Sequence, residues 1–347
     1  MQNSVPGNYR AIYIEDQVRD YEITKDILLR FSGLPSITVR HYKDVFNRPH
    51  QNQSWQKMQP ALILAKKEKP FFYEGPDICQ NFGCSRFYYT SVFLNCRFDC
   101  EYCYLQGMYP SSDIVIFVNC DDFAKSLYHL LDEANDEKVF IAASYDTDLL
   151  SFQDTYPYLN YFHSLINHFS KPIGKQSTFH IDEKLIFEVR TKSAGTRFFR
   201  ENAPLSSFVF AFSIAPQEII DLYEKRTPSL NARLAAIRSA QDNGHPVRIC
   251  FDPVFIHDNL LTYYEPFFLQ VFSEINPDMI IDISYGFFRM NKEFFDRIAK
   301  KRTTSALFLE EFKKSKIITY EEEKREVVTQ QHLDILTRFV ERDKIFT

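Results

Sequence analysis

The chain has 347 residues, 45% of them hydrophobic and 25% charged, the balance of an ordinary water-soluble globular protein long enough to bury a large core. Its formal net charge of −5 argues against bulk, sequence-independent nucleic-acid binding and leaves room only for a local basic groove. No run reaches the roughly 18 to 20 apolar residues of a membrane span, the opening stretch "MQNSVPGNYRAIYIEDQ" has no apolar signal core, and seven cysteines without such a signal indicate a reducing cytoplasm, where clustered thiols bind metal more often than they form disulfides.

The first strand expected is "AIYIE", followed by a helix over "DYEITKDILLRFSG" and a second strand, "SITVRHY". A polar stretch, "NRPHQNQSWQKMQ", leads to an apolar strand in "PALILAKK". From residue 87 the rhythm changes. "FYYTSVFL" reads as a strand running straight into a cysteine motif. "DDFAKSLYHLLDEAND" is an amphipathic helix with an aspartate at its N-cap. Then strands "KVFIAAS", "KLIFEVRTKS", "SFVFAFSIA", "PVRICFDPVF" and "DMIIDISYGFF" alternate with helices such as "YPYLNYFHSLINHF", "LNARLAAIRSAQDNG" and "TYYEPFFLQVFSEI". Six strands with continuous apolar runs suit a parallel sheet covered on both faces. A βα series of that length predicts an α/β fold, a partial TIM-type (β/α)6 barrel, whose chemistry sits at the C-terminal ends of the strands. The boundaries expected are an α/β extension over 1–86, the barrel over 87–290 and a helical region over 291–347. In the last, "NKEFFDRIAKKR" and "EVVTQQHLDILTRFVERD" read as helices, and "LFLEEF" and "KIITYEE" as strands or helical extensions. With 34 Phe and 20 Tyr against one Trp, the first reading of the aromatics is packing.

The motif is "NCRFDCEYCYLQG", with Cys96, Cys100 and Cys103 in C-x3-C-x2-C spacing. A disulfide wants an even number of cysteines, and a structural zinc site wants a fourth ligand, yet no histidine follows at a usual distance. Three thiolates suit a cubane iron–sulfur cluster whose fourth iron stays open to a small molecule; zinc and free thiols are the plainer alternatives. Cys79 and Cys84 in "CQNFGC" are a second half-site or simply reduced thiols, and Cys120 and Cys250 read as core residues.

The motif just past the first barrel strand, with aromatic Tyr102 before its last cysteine, resembles the radical S-adenosylmethionine (radical SAM) superfamily. The longer match is to the spore photoproduct lyase family: "CYLQ" after the cluster, with "AIYIE", "FVN", "TK" and "FSI" in the family's order. That resemblance implies a DNA repair lyase acting on a UV-induced thymine dimer through a 5′-deoxyadenosyl radical, with a [4Fe–4S] cluster and S-adenosyl-L-methionine as cofactors. It implies cluster ligands at Cys96, Cys100 and Cys103, cofactor contacts at Thr147, Lys192 and Ser213, and a hydrogen relay through Tyr102 and Tyr104. An electron donor such as flavodoxin or ferredoxin is implied too. Two departures stand out. Where the family carries a hydrogen-donating cysteine, in a pattern like A-S-C-T-S-D, this chain reads "ASYDTD" and places Tyr145, a phenol that also holds a removable hydrogen atom. Where the family has a lesion-binding hairpin rich in Arg, Tyr and Gly, residues 313–325 read "KKSKIITYEEEKR". Candidate phosphate contacts are Arg289, Lys300, Lys301 and Arg302, each also readable as part of a solvated helix face. Two other functions fit the residues: a radical enzyme of the same fold acting on another nucleic acid or a small molecule, and a noncatalytic iron–sulfur protein that binds nucleic acid.

Overall fold

A computed structural model describes residues 8–135, 137–169, 184–256 and 260–347; the first seven residues, part of the stretch read for a signal, lie outside them. The chain forms two compact units, Met1–Arg97 with Met108–Val189, and Phe98–Gly107 with Arg190–Thr347.

The first unit holds a five-stranded sheet in the order Ser36–Val39, Ile12–Glu15, Leu62–Ala65, Ile114–Phe117, Phe93–Leu94. The first four run parallel and the last antiparallel. Sequence pattern follows position: the central strand "LILA" is buried at every residue, whereas the edge strand "SITV" is almost wholly exposed and mixes in hydroxyls. A second set pairs Arg86–Thr90 antiparallel with Phe72–Glu74 and parallel with Val139–Ala142, which in turn pairs with Leu185–Glu188. The single strand expected over 87–94 is therefore two: it breaks at Ser91–Val92, and its halves join different sheets. An unbroken apolar run carries no mark of such a change of partner. The helix Cys120–Glu133 buries Cys120, Phe123, Ala124, Leu127 and Leu131, the i, i+3, i+4 stripe of an amphipathic helix. Its N-cap is Asn119, not an aspartate, because the helix begins two residues earlier than a cap at Asp121 implies; Asp121 and Asp122 instead occupy the first turn, where the helix dipole favours negative charge. The polar stretch before Leu62 contains a short helix, Gln53–Met58, capped by the Asn52 side chain on the Trp55 amide.

The second unit holds parallel strands Phe208–Ser213, Val247–Val254, Ile280–Phe287 and Ile345–Phe346. The helix Leu230–Asp242 starts at a Ser229 cap and ends before Gly244, whose φ of 75° is open to glycine. Much of the phenylalanine excess is packing: Phe198, Phe199 and Phe210 surround His245, with the Phe199 and Phe210 centroids 4.8 Å apart, and Phe208 packs on Phe198 and Phe210. Cys250 here and Cys120 in the first unit are buried, as read. Near the C-terminus "LFLEEF" forms a 3-10 turn, Ala306–Leu309, and Ile317–Thr319 is the middle strand of a small antiparallel sheet with Lys313–Lys314 and Arg289–Asn291. No helix among the described residues is long and apolar enough to cross a membrane.

Candidate active site

The cysteine motif starts where the first unit turns the chain sharply. Asn95 adopts a left-handed φ of 73°, tolerable for asparagine because its short amide can hydrogen-bond locally. Its Nδ2 donates to the carbonyls of Ser111 and Asp113, both at 2.8 Å. Lys57 Nζ donates to the Cys96 carbonyl at 2.9 Å, and Arg97 grips Asp154 with two nitrogens at 2.6 and 2.9 Å.

The rest of the motif belongs to the second unit. Asp99–Cys100 pairs antiparallel with Glu224–Lys225. The Cys103 amide donates to the Cys100 carbonyl at 3.0 Å, which also accepts from Gln106 Nε2 at 2.5 Å. The segment is then fastened from the C-terminal region. Arg302 donates to Asp99 and to Gln106 Oε1, Lys301 to the Gln106 carbonyl, Ser305 to Glu101 and Arg297 to the Gly107 carbonyl. A Cβ at Gly107 would lie 2.6 Å from the Phe294 carbonyl oxygen, so only glycine permits this approach.

Glu224 is the hub of a network in the second unit. The Tyr102 hydroxyl and the Arg233 guanidinium both donate to its carboxylate, and Lys192 Nζ lies 3.9 Å from it and 5.5 Å from the Tyr102 ring centroid. Arg233 is fully buried and donates also to the Ser213 carbonyl at 3.0 Å and Thr227 Oγ1 at 2.7 Å. Burial raises the Glu224 pKa, but the charges of Arg233 and Lys192 and the Tyr102 hydrogen bond outweigh it and bring it below the usual carboxylate value. Burial lowers the Lys192 ammonium, yet Glu224 and then the sulfurs of Cys100 and Cys103 raise it above the ordinary lysine value. Burial, reinforced by Glu224 and Cys100, pushes the Tyr102 phenol well up. The result is an ammonium and a neutral phenol held next to two of the three motif cysteines. Beside them Asp252 accepts from Arg289 at 2.9 and 3.1 Å and from Arg190 at 3.4 Å.

In the first unit Tyr145 follows the strand Val139–Ala142 and stacks on Tyr89, centroids 4.1 Å apart. Next to it Asp146 is buried and accepts from Ser91 Oγ. Burial, then Cys79 and Asp146, raise the Tyr145 phenol. Thr147 is buried, and its Oγ1 has no hydrogen-bond partner among the described residues, an orphan of the kind a bound polar ligand satisfies.

The structure thus brings Cys100, Cys103, Tyr102, Lys192 and the Ser213 backbone into one network, sets Tyr104 half-buried at the start of the short helix Leu105–Met108, and places Tyr145 and Thr147 on one loop of the other unit. Three candidate phosphate contacts have partners within the chain: Arg289 pairs with Asp252, Arg302 with Asp99, and Lys301 donates to the Gln106 carbonyl, while Lys300 is exposed. Glu224 and Arg233 were missed from the sequence. Nothing in the local sequence marks them: a glutamate and an arginine nine residues apart are too common a pattern to single out. None of the seven cysteines is in a disulfide. No group of three His, Cys, Asp or Glu side chains among the described residues converges on a single metal ion, whereas the thiolates of a cubane each take a different iron.

The spore photoproduct lyase family model matches residues 9–343. The spore photoproduct lyase of Bacillus subtilis (strain 168) is 23% identical over 296 residues, covering 82% of this chain and 78% of its own. That of Clostridium acetobutylicum is 25% identical over 268 residues, covering 74% and 72%. A structure of spore photoproduct lyase complexed with dinucleoside spore photoproduct superposes with a TM-score of 0.80 at 17% identity, over 99% of this chain and 100% of that one. A mutant with bound AdoMet and dinucleoside spore photoproduct gives 0.80 at 17% identity over 98% of each chain. At such identity the superposition establishes the fold, an α/β partial barrel of TIM type. With a family match running almost from end to end, the chain belongs to the spore photoproduct lyase family, radical SAM lyases that work with a [4Fe–4S] cluster and S-adenosylmethionine.

Proposed function

We propose that this chain reverts spore photoproduct in DNA to two thymines, taking an electron from a flavodoxin or ferredoxin in the cytoplasm. The observation that carries this is the family match over residues 9–343 together with three cysteines in C-x3-C-x2-C spacing. Cys96, Cys100 and Cys103 would hold the cluster, and Thr147, Lys192 and Ser213 the S-adenosylmethionine. The residues suit those groups: the thiols are unbridged, the Lys192 ammonium is kept charged beside Cys100 and Cys103, and the Thr147 hydroxyl is buried without a partner. When bound, cluster and cofactor together supply a carbon radical that removes one hydrogen atom from the lesion.

The protein's own residues have three tasks. Lys192 offers a charged donor to a carboxylate, an interaction worth roughly 1.5–3 kcal/mol. Glu224 keeps that ammonium and the Tyr102 phenol in fixed places, so that neither reorganises during the reaction. Tyr145, at the position where the family carries its donor cysteine, returns a hydrogen atom to the thymine radical from its O–H, and Tyr102 and Tyr104 serve the passage back toward the cofactor. A phenol held neutral by burial has that hydrogen at every physiological pH.

The test is anaerobic reaction of the reconstituted protein with S-adenosylmethionine, dithionite and dinucleoside spore photoproduct. Conversion to the undamaged dinucleotide is expected. Cleavage of the cofactor with the lesion left intact would overturn the reading and favour a different substrate for the same radical chemistry.

A further inference from the structure

In the first unit the central strand of the five-stranded sheet, Leu62–Ala65, runs out into Lys66, Lys67, Glu68 and Lys69. The helix Cys120–Glu133 brings Asp122 and Lys125 up beside them, and the two segments line an open cleft of about 400 Å³. It lies at the carboxyl end of a parallel strand, where open α/β sheets bind their ligands. Four lysines face two carboxylates there, a positive surplus in a chain whose formal net charge is −5. The wall is fixed by the backbone. The Lys66 amide donates to Glu15 Oε2 at 2.9 Å, the Lys67 amide to Asn119 Oδ1 at 2.8 Å, and Asn119 Nδ2 donates back to the Lys67 carbonyl at 3.0 Å. Lys67 itself belongs to the wall, since its Nζ donates to the Tyr73 hydroxyl at 2.7 Å. The other three ammonium groups, on Lys66, Lys69 and Lys125, have no ion pair among the described residues, and Lys69 and Lys125 are exposed.

We propose that this cleft holds backbone phosphates of the DNA flanking the lesion, through Lys66, Lys69 and Lys125. The proposal rests on the lyase reading and deepens it. Two observations favour a DNA strand over a lone phosphate group. A lone phosphate is best wrapped by converging backbone N–H groups, and the amides of Lys66 and Lys67 are already taken by Glu15 and Asn119. What remains is ammonium groups on flexible stems from two elements, point charges suited to contacts that ignore base sequence. The second observation is a row of rings leading away from the cleft. Tyr73, bonded to Lys67, stacks on Tyr89 at 5.1 Å, and Tyr89 stacks on Tyr145 at 4.1 Å. Two ring spacings thus separate the cleft wall from the residue that the lyase reading sets against the lesion. Phosphates of one DNA strand recur about every 3.4 Å along the helix axis, so those within a few nucleotides of a lesion at Tyr145 come within reach of the lysines.

The experiment measures binding of a fluorescein-labelled, undamaged DNA duplex by anisotropy across a range of salt concentrations. It compares the unaltered chain with two double variants, Lys69→Ala with Lys125→Ala, and Lys69→Arg with Lys125→Arg. Both positions are exposed, so the fold is expected to survive either change. The alanine pair is expected to flatten the slope of log affinity against log salt by about one to two, and the arginine pair to keep it. An unchanged slope in the alanine pair overturns the proposal, and so does an equal flattening in the arginine pair, which keeps the charge. Turnover gives a second readout. The alanine pair is expected to raise KM for a lesion within a duplex and to leave repair of dinucleoside spore photoproduct, which has no flanking strand, unchanged. Equal loss on both substrates overturns the proposal. Inorganic phosphate is titrated into the unaltered chain at constant ionic strength. Saturable binding that the alanine pair abolishes, with no change in the DNA slope, would assign the cleft to a small phosphorylated ligand and overturn the DNA assignment. Failure of the unaltered chain to repair the lesion, with the slope effect present, sinks the lyase reading and leaves the cleft a DNA contact.

Discussion

Glu224 shows how one buried residue ties stability to the site. Its carboxylate is the counter-charge of Arg233, which is wholly out of water, and truncating one member of such a pair leaves the other charge uncompensated. Glu224→Gln is expected to destabilise the protein by about 3–5 kcal/mol and to lower the iron retained per chain, since the negative charge that holds Lys192 and Arg233 next to Tyr102 is gone. Urea unfolding and iron analysis read the two effects separately; an unchanged midpoint would show that Arg233 is held well enough by Thr227 and the carbonyls of Ser213 and Pro228. Because the Glu224 pKa is depressed in the fold, its contribution is complete above the usual carboxylate value and is lost as pH falls through the lower, folded one. Gly107→Ala makes a different kind of test. The added methyl meets backbone at Phe294, which cannot rotate away, so the cysteine segment must shift at a cost of about 1–3 kcal/mol. The expected result is a folded protein whose cluster is lost on gel filtration. Lys192→Ala, in contrast, should leave cluster content alone and weaken cofactor binding by roughly ten- to a hundredfold.

At the scale of elements, the helix Glu322–Leu336 carries a titration that depends on packing. His332 is buried against Tyr264 and Phe268, with Nδ1 2.8 Å from the Tyr285 hydroxyl and Nε2 unpartnered among the described residues. Burial brings its pKa down to about 4. The folded value lies below the unfolded one, near 6.5, so the stabilisation from burying the neutral ring is complete above pH 6.5 and is lost as pH falls toward 4. Between pH 7 and pH 5 the protein should lose about 2 kcal/mol from this residue alone, and denaturant titrations of His332→Phe should show that much less pH dependence. The strands and long helices were legible in the sequence because apolar runs such as "LILA" and "FVFAFS" and the stripe of Cys120–Glu133 state their own periodicity. What was not legible depended on neighbours in space. The split at Ser91–Val92 is a choice between two sheets, and the hairpin Lys313–Thr319 is completed by Arg289–Asn291, more than twenty residues back.

For the whole molecule the question is how an acidic chain meets DNA. The cysteines announced themselves by spacing and Lys192 through the resemblance to the family, but the basic residues picked from the helix after Asn291 carried no mark of the partners they have within the chain. Arg302, Lys301 and Arg297 are spent on the cysteine segment, and Arg289 on Asp252. Charge runs in a sequence do not say which partner they face. With these groups committed, lesion DNA is expected to release the counterions of roughly two or three phosphates, so that affinity falls about ten- to fiftyfold between 50 and 200 mM salt. A loss of a thousandfold or more would mean a large basic face supplied by other residues.

The fastening of the cysteine segment also sets an order of events in the making of the protein. Cys100 and Cys103 leave the ribosome early, but the side chains that pin their loop, Arg297, Lys301, Arg302 and Ser305, follow 190 to 204 residues later. At about 5–20 residues per second, the nascent chain spends roughly ten seconds or more with the thiols proposed to hold the cluster emerged and unclamped. Iron delivered in that interval would meet a floppy peptide exposed to oxygen and stray metals, so assembly of the cluster belongs after release of the finished chain. Chains terminated before Lys292 should take up no stable iron, and translation stalled near the C-terminus should yield colourless protein that turns brown only once synthesis is completed.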